Sequence, residues 1–203
     1  MAPQAVRQVT GSSTAEQILD CAHGLLVEIG YSGFSYADIA HRVAISKPSI
    51  HHHFPTKAQL VLKVVQRYRH NIQVATEAGM RAVSDPVRQL SGYVGHWAAC
   101  IEDRSMPFCV CAMLASERRT LPAEVNAEIT GHFKTLSAWL EGILARGAAS
   151  GQFTLRQSAE LEAQCFMSLI HGAMLTARAL EDGALFAAIS QAGIARLTGA
   201  SKV

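Results

Sequence analysis

Charge is scarce in this chain. Asp, Glu, Lys and Arg make up 17% of its 203 residues and hydrophobic residues 49%, the balance of a chain that folds around a core, not of a disordered one. Aromatic residues are 6%, so the core has to be largely aliphatic. No apolar run reaches the roughly 18 residues of a membrane span. The N-terminal MAPQAVRQVTGSS has no apolar centre of the secretory type, so residues 1–13 read as a flexible arm and a cytoplasmic protein is expected. Five cysteines is an odd number; with no export signal, a disulfide framework is not expected. A Gly-rich phosphate loop, a nucleophile elbow and an HExxH pair are all missing, so enzymatic chemistry finds no support. Single carboxylates such as Glu102 and Glu117 read as solvated. Period-two alternation is missing as well, which leaves an all-α chain.

What is there is helix punctuation, densest from Phe34 to Lys57. Ser35 is a candidate N-cap, and Asp38 three residues on can complete a capping box. Ile39, Ala40 and Val43 share one helical face. After Ala44-Ile45, Ser46 can cap a second helix, Lys47–Phe54, with Pro48 in its first turn where a missing N–H costs little. Thr56 is a third cap. Two helices of about eight residues with a three- to four-residue turn between them match a helix-turn-helix. The second helix carries Lys47, Ser49, His51 and His52 toward its N-terminal end, where a recognition helix needs donors for base edges and phosphates. Ile50 and Phe54, four apart, can anchor its other face.

The run SYADIAHRVAISKPSIHHHFPTKAQLV resembles the DNA-binding module of TetR-family transcriptional regulators, with the match extending from Thr14 to about Leu62. One departure is His51, where the family pattern has Tyr. The resemblance implies an N-terminal three-helix DNA-binding bundle (14–60) and a C-terminal helical ligand-binding and dimerisation domain (61–203), about nine helices in total. It also implies a homodimer through the last two long helices, a palindromic double-stranded operator, and release by a small-molecule effector of unknown identity, as in a repressor. No cofactor is implied.

On this reading the DNA-binding residues are Ser35, Ser46, Lys47, Pro48, Ser49, His51, His52 and Lys57. Lys47 and Ser49 face base edges; Lys57, His51, His52 and the helix N-termini meet phosphates. Arg7 in the arm either makes no contact or reaches the minor groove. Residues 1–70 hold seven Lys/Arg against four Asp/Glu and six of the nine His, a modestly positive end on a near-neutral body. His51-His52-His53 is no metal site, because consecutive helical side chains point about 100° apart.

The remaining helices are expected at Thr14–Gly30, capped by Thr14, then Lys57–Gly79, Pro86–Glu102, Met106–Arg118, Pro122–Gly147, Ala159–Glu181 and Ala184–Leu197. In the body, His96, Trp97, Cys109, Met113, Trp139, Phe166, His171 and Met174 read either as core or as the wall of a ligand cavity, with His70, Asn71 and Glu117 as polar members. Cys109-x-Cys111 reads as core filler or as a thiol sensor of oxidants or electrophiles, with Arg118 and Arg119 two turns on. Within a helix the two thiols would point apart and not bridge. The alternative function is a helical small-molecule-binding protein or thiol sensor with weak or no DNA binding.

Overall fold

The computed structural model describes residues 13–103 and 108–199; Arg7, Met106 and Pro107 lie outside them. These residues form nine helices and no strand: α1 (Thr14–Ile29), α2 (Tyr36–Val43), α3 (Lys47–His53), α4 (Lys57–Ala82), α5 (Pro86–Glu102), α6 (Val110–Ala115), α7 (Ala123–Ala149), α8 (Ala159–Ala179) and α9 (Gly183–Leu197).

The helix starts are set by their caps. Ser13, not Thr14, caps α1: its Oγ accepts from Glu16 N, and the Glu16 carboxylate accepts from Ser13 N at 2.9 Å. Glu16 decides the register, because it is three residues from Ser13 and completes the reciprocal pair. Ser35 and Asp38 make the same box on α2. Ser46 caps α3 with Pro48 in the first turn, and Thr56 caps α4. Asp85 caps α5 with Pro86 behind it, and Ser158 caps α8.

The head is α1 to α3 with the first turns of α4. Ile18, Ala22, Leu25 and Leu26 of α1 meet Ile39, Ile50, Phe54, Leu60, Val61 and Val64, all buried. Tyr36 adds a buried hydrogen bond from its hydroxyl to Phe54 O at 2.8 Å, tying α2 to the end of α3. The 26-residue α4 then runs out of the head into the body, packing on α1 and on α7. The body core gathers Trp97, Val125, Ile129, Leu140, Phe166 and Phe186 from α5, α7, α8 and α9.

The expected helix from Met106 to Arg118 is largely replaced. α6 is six residues long, Cys109 before it is extended (φ −68°, ψ 116°), and tight turns follow through Thr120. Both ends have reasons given below: Cys109 is held by side chains of other helices, and Glu117 is drawn to the head.

Candidate nucleic-acid interface and effector cleft

Alternation of burial along α3 builds the interface. Ile50 is completely buried, while Lys47, Pro48, His51, His52 and His53 are exposed and Ser49 is half-buried. One anchor therefore holds the helix while its other faces stay in solvent, and Ser35 and Ser46 stand exposed at the two helix N-termini beside it. The three histidines diverge. His51 packs edge-on to Tyr36, centroids 4.7 Å apart, and its Nδ1 lies 3.1 Å from Pro55 O. A carbonyl only accepts, so Nδ1 carries the hydrogen. Nε2 is then a lone pair in the neutral ring and a phosphate donor only in the charged one. His53 leans on Phe54. Among the described residues no three His, Cys, Asp or Glu side chains are arranged to hold a metal ion.

Lys57 corrects its expected phosphate role. Its ammonium donates inward to the carbonyls of Tyr31 and Phe34 and lies over both rings, 4.8 and 3.9 Å from their centroids. Carbonyls and ring faces both attract a cation, so the side chain is committed to the α1–α2 turn. Burial pushes its pKa down, against the Glu117 and Asp38 carboxylates that raise it.

Glu117 is the residue that sequence reasoning misplaced most. Its carboxylate is neither solvated nor in a cavity wall; it accepts from the backbone N–H of Tyr31 (2.8 Å) and Ser32 (3.1 Å). The α1–α2 turn is thus gripped from the body by Glu117 and from α4 by Lys57. Gly30, at φ +76°, makes room: a Cβ there would overlap the Glu117 carboxylate. Arg178 of α8 adds a second tie, donating to the carbonyls of Val27 (2.8 Å) and Glu28 (3.1 Å) at the end of α1.

A cleft of about 320 Å³ opens between α4, α5 and α7, lined by Ile72, Thr76, Tyr93, His96, Trp97 and Trp139 among others, with Arg88 and Gln89 beside them. Gln89 is spoken for, its amide donating to Val83 O and accepting from Arg146. The wall is mainly apolar and aromatic, with a few polar groups, the usual make-up of a small-molecule site. Of the expected wall residues, His96, Trp97 and Trp139 are here.

Cys109 and His171 instead border a small inner cavity of about 10 Å³ with Tyr68, Ile72, Tyr93, Trp97, His132 and Leu136. Phe166, Met174 and Met113 line neither. Phe166 is buried beside Gly193 where α8 meets α9, Met174 borders a groove next to Arg178, and Met113 packs half-buried on α6. The reason is rotational position: on a helix apolar nearly all round, composition does not say which residue faces the gap. His70 and Asn71 are exposed. Arg118 turns to Thr130 Oγ1 (3.1 Å) and Arg119 is exposed, so the sequence proximity of the two to the thiols does not become contact.

A three-helix head that presents one polar helix, carried on a long helix into a helical body with a cleft, defines a helix-turn-helix DNA-binding regulator. Residues 18–64 match the bacterial regulatory protein, tetR family, domain, and residues 86–192 match a tetracyclin repressor-like C-terminal domain. A solved TetR-family transcriptional regulator from Agrobacterium tumefaciens is 47% identical, with a TM-score of 0.88 over 91% of this chain and 97% of that one. The HTH-type transcriptional repressor DhaR of Mycobacterium sp. is 25% identical over 74% of this chain and 75% of DhaR. The HTH-type transcriptional activator FasR of Mycolicibacterium smegmatis is 30% identical over 45% of this chain, a stretch that spans 42% of FasR. The chain belongs to the TetR family of transcriptional regulators. Its relatives are regulators, not enzymes. No helix of the described residues is long and apolar enough to cross a membrane.

Proposed function

We propose that the protein is a cytoplasmic repressor that grips a palindromic operator as a homodimer and lets go when a small molecule fills the cleft. The observation that carries this is the polar tip of α3, exposed from Lys47 to His53 except for the buried Ile50 and the half-buried Ser49. Two such tips on a two-fold axis would enter successive major grooves about 34 Å apart. Lys47 and Ser49 read base edges; His52, and His51 in its charged form, meet phosphate. Lys57 acts indirectly, by holding the turn that positions α2.

The effector is a mainly apolar, aromatic-sized molecule, matched to Tyr93, Trp97 and Trp139. Its signal travels by contact. The cleft is walled by α4 and α5, and α4 runs into the head. The body also holds the α1–α2 turn through Glu117 and α1 through Arg178. A ligand that favours one setting of these ties over the other shifts the separation of the heads, and a few kcal/mol of preference suffices.

Fluorescence anisotropy with DNA flanking the gene tests the reading. Lys47→Ala is expected to lose about 10-fold or more on the preferred operator, the scale of one good base contact, with a smaller loss on unrelated duplex. Equal losses on both would remove Lys47 from base readout, and no binding by the parent protein would sink the reading itself. His51→Tyr is expected to tighten binding by roughly 3- to 10-fold, about 1 kcal/mol for a hydroxyl that donates without needing charge. Weaker binding by that variant would show that the phosphate lies elsewhere.

A further inference from the structure

The inner cavity is unlike the core around it because of what converges on one sulfur. Cys109 Sγ is completely buried. Tyr68 Oη donates to it at 3.2 Å, and His132 Nε2 lies 3.7 Å away. His171 borders the same cavity, and Cys111, two residues on, is completely buried as well. A cysteine that only filled space would need none of these groups, and burying so many polar groups together is costly. The extended backbone at Cys109 makes the cluster possible. Cys109 is the cap of α6, not part of it, so its side chain escapes the helical spacing that would aim it away from Cys111. The expectation that the two thiols point apart assumed one helix through both, and that assumption does not hold.

We propose that Cys109 is a covalent modification site for hydrogen peroxide, with Cys111 as the thiol that resolves the product into a Cys109–Cys111 disulfide. The cavity volume selects the reagent class. About 10 Å³ is at the lower limit for a single water, so bulky electrophiles are excluded and hydrogen peroxide, the smallest hydroperoxide, enters only as the surrounding side chains give way. Ile72, Tyr93 and Trp97 border both this cavity and the outer cleft, so they form the wall a small reagent has to pass.

The chemistry closes on residues in place. The Cys109 sulfur attacks one oxygen of the hydrogen peroxide; an S–O bond forms, the O–O bond breaks, and the leaving oxygen takes the proton that Cys109 gives up, passed through His132. The products are a sulfenic acid and water. The Cys111 sulfur then attacks the Cys109 sulfur; S–S forms, S–O breaks, and the oxygen leaves as water with the Cys111 proton. Over the two steps the thiol pair loses two electrons, one from each sulfur, and the peroxide takes them up. Burial by itself raises a thiol pKa, but the hydrogen bonds from Cys111, His132 and His171 outweigh it and hold Cys109 below the ordinary thiol range. Cys111 goes the other way, pushed up by its interaction with Cys109 and by burial.

A response at the operator rests on the regulator reading above. Tyr68, which loses its acceptor when Cys109 is drawn toward Cys111, stacks on His23 of α1, centroids 5.9 Å apart. Glu117, two residues beyond α6, holds the α1–α2 turn.

The test uses the full-length reduced protein, hydrogen peroxide and tryptic mass mapping, because one peptide, residues 105–118, holds both cysteines. Expected is a dithiothreitol-reversible loss of 2 Da in that peptide. In Cys111→Ser a dimedone adduct is expected on Cys109, a label that methionine oxidation does not mimic. In Cys109→Ala no adduct is expected on Cys111. N-ethylmaleimide should spare the buried Cys109 in the folded protein and label it after denaturation. Should peroxide modify only Cys165 or Cys21, or leave the 105–118 peptide unchanged in the parent protein, the proposal is overturned, whether or not the variants fold. Operator binding is read separately by anisotropy: if the reduced protein binds no DNA while the disulfide forms, the regulator reading fails and the modification site stands.

Discussion

With Leu175 replaced by arginine, the protein is expected to keep its fold, run as a monomer where the parent runs as the proposed dimer, and bind operator about 100-fold or more weakly, because two linked heads gain roughly 10²–10⁴ over one. Leu175 is 60% exposed on α8, and Leu161 (43%) and Leu180 (65%) are exposed on the same helix or at its end. Leu161, Cys165, Ser168, Gly172 and Leu175 are all exposed and recur every three to four residues, so they form one stripe. On α9 the exposed positions include Ala184, Ala188 and Ala192. An apolar stripe edged by small side chains is poor surface for a monomer and good surface for a close helix pairing. An exposed position tolerates arginine within about 0.5 kcal/mol in the monomer, whereas near a two-fold axis the same arginine would bury its charge against its copy. Light scattering after size exclusion gives the mass, and anisotropy gives the affinity. Leu175→Ala, which trims the contact without adding charge, keeps the comparison informative if the folded state itself depends on pairing. A dimeric arginine variant, or a monomer that binds operator as tightly as the parent, would remove α8 from the interface.

The parts legible in the sequence are those whose determinants lie within four residues of one another. Ser35–Asp38, Ser46–Pro48 and Thr56 each act on their own helix start, and Ile50 and Phe54 are one turn apart; local spacing therefore drew the head nearly as it stands. What could not be read depends on distant partners. Lys57 looks like a phosphate ligand until Tyr31 and Phe34, more than 20 residues earlier, fold beneath it. Glu117 looks solvated until the turn 86 residues before it arrives. His132, missed altogether, sits on a helix whose apolar pattern gives no sign that one imidazole points at a sulfur 23 residues back. The single local error of consequence was to run a helix through Cys109. The signals that could have stopped it, a cap box or a Ser, Thr, Asp or Asn just before Val110, are lacking there.

The turn that those distant residues seize carries the second large prediction. Gly30→Ala is expected to lower the melting temperature by about 10 °C and to weaken operator binding with it. Two costs add. The backbone at Gly30 (φ 76°, ψ −176°) lies in a region that is essentially glycine-only, at about 1–3 kcal/mol for any other residue. The new Cβ would also overlap the Glu117 carboxylate, forcing it off the part-buried N–H of Tyr31, an orphaned donor that costs about 1–3 kcal/mol, and off the exposed N–H of Ser32, which water can satisfy. A total of about 2–6 kcal/mol, at roughly 2–4 °C per kcal/mol for a chain of this length, centres on the shift. A double-mutant cycle separates the two. With Glu117→Ala already in place there is no carboxylate left to displace, so adding Gly30→Ala should cost only the backbone part. If the cost is the same in both backgrounds, Glu117 and Gly30 are not coupled, and the body's hold on the α1–α2 turn cannot be the route by which the cleft reaches the DNA-binding head. If it falls by half or more, Gly30 and Glu117 act on the turn as a unit, and Glu117→Ala alone should weaken operator binding in the same direction as Gly30→Ala, by the part that comes from losing the hold on Tyr31.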